Sequence, residues 1–263
     1  MKADTIASAF SRRRDEGRAA LVPYVTAGHP THDATANLLE ALAGAGADVL
    51  ELGIPFSDPL ADGPTIQRSS FQALSQGATV AGVLEDLGAF RTRRATPVVL
   101  FTYLNPILRY GLDAFLSDAV EAGAQGLLVT DLPQGADPAL EGRIRASGLD
   151  LIRLVAPTTE PERVTQIAAG GSGFLYYISR TGVTGARTTL RATLGEEVGR
   201  IRGAVRLPVA VGFGISTPEQ AGAVAAVADG VVVGSALIRA LDEGGIEGGA
   251  RFVASLREGM DAR

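Results

Sequence analysis

Glu51 and Asp62 stand on either side of a breaker-rich segment, Gly53-Ile-Pro-Phe-Ser-Asp-Pro-Leu-Ala61. The apolar, partly β-branched run from Ala47 to Leu52 predicts a buried strand, and Gly53, Pro55, Pro59, Gly63 and Pro64 keep a helix from following at once. Glu51 therefore falls near the carboxyl end of a strand. A carboxylate set among Val49, Leu50, Leu52 and Ile54 is costly to bury alone. It either pairs with a donor as a structural residue or is kept for proton chemistry.

The other reactive side chains narrow that chemistry. Lys2 is the only lysine and lies at the amino terminus, which argues against an imine mechanism and against pyridoxal phosphate held by a lysine of this chain. His29 and His32 are the only histidines. Beside Gly28 and Pro30, with no third ligand at a suitable spacing, they predict loop packing or the start of a helix rather than a metal site. There is no cysteine, so disulfides and thiolate metal sites are excluded. Carboxylates, Tyr, Arg, Ser/Thr and backbone groups remain.

Composition bounds the partners. The 263 residues carry a net charge of -5, which leaves no general basic surface for nucleic acid or an anionic membrane. Arg12 to Arg14 and Arg91 to Arg94 read as solvated helix faces. Met1 to Arg18 lacks the apolar core of a signal peptide, and the most apolar stretch, Ala221 to Ile238, is interrupted by Asp229, Gly230 and Gly234. The expectation is a soluble, cytoplasmic protein.

Eight apolar runs predict strands: Ala19 to Val25, near Val49, Pro97 to Phe101, Gly126 to Val129, Leu151 to Val155, Phe174 to Ile178, Pro208 to Val211 and Gly230 to Val233. Helical patterns alternate with them, from one opened by Thr31 to Val80–Arg93, Leu112–Ala122, Pro138–Ala146, Glu162–Ala169, Leu190–Ile201, Pro218–Val227 and Gly249–Glu258. Thr217-Pro-Glu-Gln220 and Thr159-Glu-Pro-Glu162 match capping boxes. Parallel pairing through such crossovers predicts a single (β/α)8 TIM barrel spanning residues 1–263. An open doubly wound sheet is the alternative, but no Gly-x-Gly-x-x-Gly follows the first strand. Asp4 to Glu16 adds a helix placed to plug the underside. The loops after the second and sixth strands are enlarged, the first with a short helix around Ile66 to Leu74. The second, Arg180 to Arg187, reads as a lid.

In such a barrel the reacting groups gather at the carboxyl ends of the strands. The seventh strand runs into Gly212-Phe-Gly-Ile-Ser216 and the eighth into Gly234-Ser-Ala236. Backbone N–H groups at these glycines, with a helix starting near Ser235, predict a phosphate subsite at Gly214, Gly234 and Ser235, to which Gly185 contributes from the sixth loop. Tyr24, Leu100, Phe101, Tyr103, Leu128 and Tyr176 lie near strand ends and are candidates to shape a pocket for a flat ring. A sugar-phosphate isomerase or epimerase shares the phosphate loops but needs no such pocket.

The stretch Glu51 to Gln67, with Phe174-Leu-Tyr-Tyr-Ile-Ser-Arg-Thr-Gly-Val-Thr-Gly185 and Val211-Gly-Phe-Gly-Ile-Ser-Thr-Pro-Glu-Gln220, resembles the alpha subunit of tryptophan synthase. The resemblance covers nearly the whole chain. It implies retro-aldol cleavage of indole-3-glycerol phosphate to indole and glyceraldehyde 3-phosphate. It further implies Glu51 as the acid/base at indole C3 and the glycerol hydroxyl, Asp62 as the group that stabilises charge at the indole nitrogen, and Tyr176 as the active-site tyrosine. Arg180 and Thr184 become lid residues, and Gly185, Gly214, Gly234 and Ser235 the phosphate binders. The resemblance implies no cofactor on this chain and a pyridoxal-phosphate beta subunit that receives indole in an alpha2-beta2 tetramer, with Pro55, Asp58, Asn105 and Pro133 as candidate contacts. A stand-alone indole-producing lyase and a non-catalytic regulatory subunit are the alternatives.

Overall fold

Each predicted strand forms because its run is apolar on both faces, as a parallel sheet covered inside and out requires. The computed structural model describes residues 4–179, 194–212 and 214–262. Its strands are β1 (Ala20–Thr26), β2 (Leu50–Gly53), β3 (Val98–Thr102), β4 (Gly126–Val129), β5 (Asp150–Leu151), β6 (Arg153–Val155), β7 (Leu175–Ile178), β8 (Val209–Gly212) and β9 (Gly230–Val233). They form one parallel sheet in the order β5-β4-β3-β2-β1-β9-β8-β7-β6. Only Ile152 separates β5 from β6. The fifth predicted strand is thus split at the seam, β5 pairing with β4 and β6 with β7, and the sheet curls into a nearly closed barrel.

The helices among the described residues are α1 (Ile6–Asp15), α2 (Thr35–Gly44), α3 (Pro64–Ser75), α4 (Val80–Arg91), α5 (Leu104–Tyr110), α6 (Leu112–Glu121), α7 (Pro138–Ala146), α8 (Pro161–Ala169), α9 (Leu194–Ala204), α10 (Pro218–Ala225) and α11 (Ser235–Asp261). Successive strand residues point to opposite sides. One set, Ala20, Val22, Val49, Val99, Leu128, Ile152, Phe174, Ala210 and Val232, fills the barrel, and the alternate set packs on the helices. Ile6, Ala9 and Phe10 of α1 join the inner set and close the amino-terminal end, as expected of a plug. The phenyl rings of Phe10 and Phe174 lie 5.3 Å apart. A Cβ at Gly230 would stand 2.9 Å from Phe10, so glycine is what admits the plug. Asp48, 2% exposed, locks this end by accepting hydrogen bonds from Arg13, Arg257 and the Leu21 N–H.

Several local expectations change. The helix predicted from Thr31 begins as a 3-10 turn, His32–Ala34, and becomes α-helical only at Thr35. Thr159 caps no helix, because its hydroxyl accepts from the Ala156 N–H at 3.0 Å and Glu160 takes the cap position. At α10 Thr217 does accept from the Gln220 N–H, but the Gln220 side chain turns to the Ser216 N–H, 2.8 Å away. Helix α5 was not anticipated, since seven residues are too few to display a period. The last helix starts at Ser235 and bends at Gly245, whose φ of +59° lies outside the helical range. The enlarged loop after β2 is present and leads into α3. The one predicted at Arg180 to Arg187 lies outside the described residues.

Candidate active site

The period of two that fills the barrel also builds the site. One step beyond the inner set along each strand, Val22 leads to Tyr24, Val49 to Glu51, Val99 to Phe101, Ile152 to Leu154, Phe174 to Tyr176 and Val232 to Gly234. Phe101, Leu154 and Tyr176 pack on the inner set and form a floor. Above it opens a cavity of about 520 Å³, lined by these six residues and by Asp62, Thr130, Gly214, Ser216, Ser235 and Arg239 among others.

Two strand-end glycines make room for the tyrosines. A Cβ on Gly53 would lie 2.2 Å from the Tyr24 hydroxyl oxygen, and one on Gly212 2.4 Å from that of Tyr176. Each ring therefore lies across the end of the neighbouring strand. Tyr24 also meets Phe101 edge-on at 5.2 Å. Burial raises the pKa of both phenols, and Glu51 and Asp62 add to the rise.

Glu51 is 1% exposed, and its Oε1 has no hydrogen-bond partner among the described residues. Its register partners on the flanking strands are Tyr24 and Val99, which bring no counter-charge. Desolvation pushes its pKa from 4.5 to about 8, so at neutral pH the side chain holds a proton. Asp62 is raised by burial to about 6, with a hydrogen bond from Tyr103 acting in the opposite sense. It is mostly ionised at pH 7. Two carboxyl groups on one cavity, set apart by environment, are an acid and an anion ready to divide proton chemistry.

The loop that carries Asp62 is pinned. The Gln67 amide donates to the Asp62 carbonyl at 2.9 Å, and the Ala61 N–H donates to the Tyr103 hydroxyl at 3.0 Å. Helix α3 is tied to β1 through Thr26 and Ser69, whose hydroxyls are 2.7 Å apart. Opposite, Gly214 adopts a φ of +73°, and α11 starts at Ser235 with no side-chain cap. The N–H groups of that first turn are left for an anion.

Most of the expected site converges here: Glu51, Asp62, Tyr24, Phe101, Tyr176, Gly214, Gly234 and Ser235 line one cavity. Leu128 does not. It belongs to the inner set one pleat lower, and Thr130 takes the lining position. Tyr103 lies past the end of β3 and does not line the cavity; it braces the Asp62 loop and meets the Phe56 ring at a tilt, 5.2 Å between centroids. Arg180, Thr184 and Gly185 lie outside the described residues. Of the candidate partner contacts Asp58, Asn105 and Pro133 are exposed, whereas Pro55 is buried in the chain itself. His29 packs fully buried, with Nε2 3.1 Å from an Asp242 oxygen, and His32 is exposed in the 3-10 turn. Sequence reasoning missed Thr130, Leu154, Ser216 and Arg239. The period of two points to the first two; nothing local marks the others.

A (β/α)8 barrel whose mouth joins two unlike carboxyl groups to glycine-bearing strand ends and an uncapped helix start belongs to the class of barrel enzymes that carry out acid–base chemistry at the carboxyl ends of their strands. The model of the family "Tryptophan synthase alpha chain" matches residues 10–260. Tryptophan synthase alpha chains of Geobacter sp. strain M21 and Acidiphilium cryptum are 48% and 49% identical to this chain, covering 97% and 91% of it and 97% and 87% of themselves. The tryptophan synthase subunit alpha of Legionella pneumophila superposes with a TM-score of 0.91 at 38% identity, over 98% of both chains. A Mycobacterium tuberculosis tryptophan synthase structure gives 0.90 at 38% identity, over 98% of this chain and 99% of that one. The chain belongs to the tryptophan synthase alpha chain family. It is a carbon–carbon lyase of tryptophan biosynthesis, with the family's reaction, cleavage of indole-3-glycerol phosphate to indole and glyceraldehyde 3-phosphate.

Proposed function

We infer that Glu51 and Asp62 divide the work of the cleavage. The substrate phosphate sits on the N–H groups at Gly214, Gly234 and Ser235, and the indole ring lies over Phe101, between Tyr24 and Tyr176. Glu51, protonated at neutral pH, delivers its proton to C3 of the ring. The ring becomes an electron-poor iminium whose N–H faces the Asp62 carboxylate. The electron pair of the C3–glycerol bond then flows into the ring, and the glycerol hydroxyl beside that bond returns its proton to Glu51. Indole and the aldehyde of glyceraldehyde 3-phosphate leave, and the acid is regenerated. The observation that carries this reading is a buried glutamate with an unpartnered oxygen, in one cavity with a second carboxylate and an anion cradle.

The pH dependence follows from the sign of each requirement. Glu51 must hold its proton, so activity falls as pH rises through about 8. Asp62 must have lost its own, so activity falls as pH drops through about 6. Indole release from indole-3-glycerol phosphate is expected to give a bell in kcat/KM between these limbs. A rate flat from pH 5 to 9 rejects the assignment.

The same reading gives the chain a partner, a beta subunit that carries pyridoxal phosphate and receives indole within an alpha2-beta2 tetramer. Support comes from the barrel face that bears the mouth. Leu60 is 82% exposed beside Asp58, and Leu108 on α5 is 54% exposed beside Asn105. Large apolar side chains left in water near an active-site mouth mark an interaction surface. Leu108→Asp is expected to weaken beta-subunit binding at least about tenfold while the isolated chain still releases indole. Gel filtration of the mixture with parallel indole assays reads both, and undiminished co-elution moves the interface elsewhere. No helix among the described residues is long and apolar enough to cross a membrane, and the absence of cysteine suits the reducing cytoplasm in which we place the reaction.

A further inference from the structure

Glu51 and Asp62 bring the carboxyl groups that line the cavity, and Arg239 is the only cation there among the described residues. Arg239 stands four residues beyond Ser235 on α11, so the two share a helix face, the face turned to the cavity. Its guanidinium is exposed, and no carboxylate among the described residues forms an ion pair with it. The acids on its own helix do not claim it: Asp242 is engaged by Arg68 and lies 3.1 Å from His29, and Glu243 makes no pair with Arg239. In a chain of net charge -5, an uncommitted cation at the anion end of an active cavity has a counter-ion still to meet.

We propose that Arg239 is a specificity-determining residue that recognises the second negative charge of the substrate phosphate. Charge balance at the phosphate, placed as given above, calls for a full positive charge. Backbone N–H groups at Gly214, Gly234 and Ser235 satisfy oxygen lone pairs with partial charges but supply no full positive charge. A phosphate monoester near neutral pH approaches two negative charges. Its outer oxygens, those not buried against the glycines, face the helix surface that carries Arg239. The residue acts on binding, equally before and at the transition state, because cleavage occurs at the other end of the substrate, between Glu51 and Asp62. Its signature is therefore in KM and not in kcat.

The test compares the full chain with Arg239→Gln and Arg239→Lys, using glycerol 3-phosphate as the calorimetric probe and indole-3-glycerol phosphate for kinetics. Arg239→Gln is expected to weaken glycerol 3-phosphate about tenfold and to raise KM by a similar factor, with kcat within about twofold of the parent. Lys keeps the charge and is expected to recover most of the affinity. Raising salt from about 0.02 M to about 0.5 M is expected to weaken the parent far more than the Gln variant, because screening removes what the substitution has already removed. Equal glycerol 3-phosphate affinity in parent and Gln variant overturns the proposal. So does an equal loss for uncharged indole, which assigns Arg239 a structural role. If the parent itself neither binds glycerol 3-phosphate nor releases indole, the cavity reading fails first; if it does both and Arg239→Gln matches it, only this inference fails.

Discussion

Glu51→Gln is expected to lower indole release about 10³-fold while leaving glycerol 3-phosphate binding intact. The amide has nearly the same shape and no transferable proton, so the reaction loses the step that turns the ring into an electron sink. Nothing else in the described cavity replaces it. Tyr24 and Tyr176 are phenols whose pKa burial drives upward, and Asp62 is mostly ionised at neutral pH. The same substitution carries a second expectation, on stability. The folded chain keeps the Glu51 proton up to about pH 8, whereas the unfolded chain releases it near 4.5. Between those values the folded state binds more protons, so wild-type stability falls as pH rises through the window and levels off above it. Gln removes that dependence. The variant should match the wild type below pH 4.5 and exceed it increasingly up to pH 8, the shift from 4.5 to about 8 setting a ceiling of about 5 kcal/mol. Thermal unfolding at pH 4.5, 6 and 8 measures the trend. Turnover close to wild type, or a stability difference independent of pH, would show that Glu51 is a satisfied structural residue.

Asp62→Asn is expected to lower kcat about 10²-fold, less than Glu51→Gln, because its task is electrostatic and the amide dipole still faces the ring nitrogen. The pH profile separates this residue from the substrate. A phosphate monoester also titrates near pH 6, so in the wild type two ionisations shape the acid limb of kcat/KM. A logarithmic slope near two is expected there, and Asp62→Asn should reduce it toward one while the alkaline limb near 8 stays in place. An acid limb of the same steepness in both proteins would remove Asp62 from the chemistry. Tyr103 supports it from outside the cavity, since its hydroxyl accepts from the Ala61 N–H and donates to the Asp62 carboxylate.

Some of this was legible from residue types and spacing. Alternating apolar runs dictated parallel strands and covering helices, because a strand buried on both faces has no polar positions to show. Breakers after Leu52 announced that the chain leaves the sheet there, which placed Glu51 at the strand end. The glycines at 212, 214 and 234 marked backbone that approaches something closely. Cysteine, lysine and histidine usage had already removed the competing chemistries.

Other features depend on how the strands are stacked, and no local pattern holds them. Leu128 on β4 and Thr130 just past its end lie two residues apart, and only the depth of the inner layer decides that Thr130 lines the cavity and Leu128 fills the barrel. Tyr103 reads like Phe101 in the chain yet lies beyond the strand and turns to the Asp62 loop. Arg239 falls in an ordinary helical stretch, and its place at the mouth appears once α11 is laid against the barrel. Glu51 is the sharpest case. Its position near a strand end follows from the run of residues around it, but its proton affinity does not. Desolvation depends on every atom that closes over the carboxyl group, and those atoms come from strands far apart in the chain. Sequence chose the acid; the closed barrel made it an acid that keeps its proton at neutral pH.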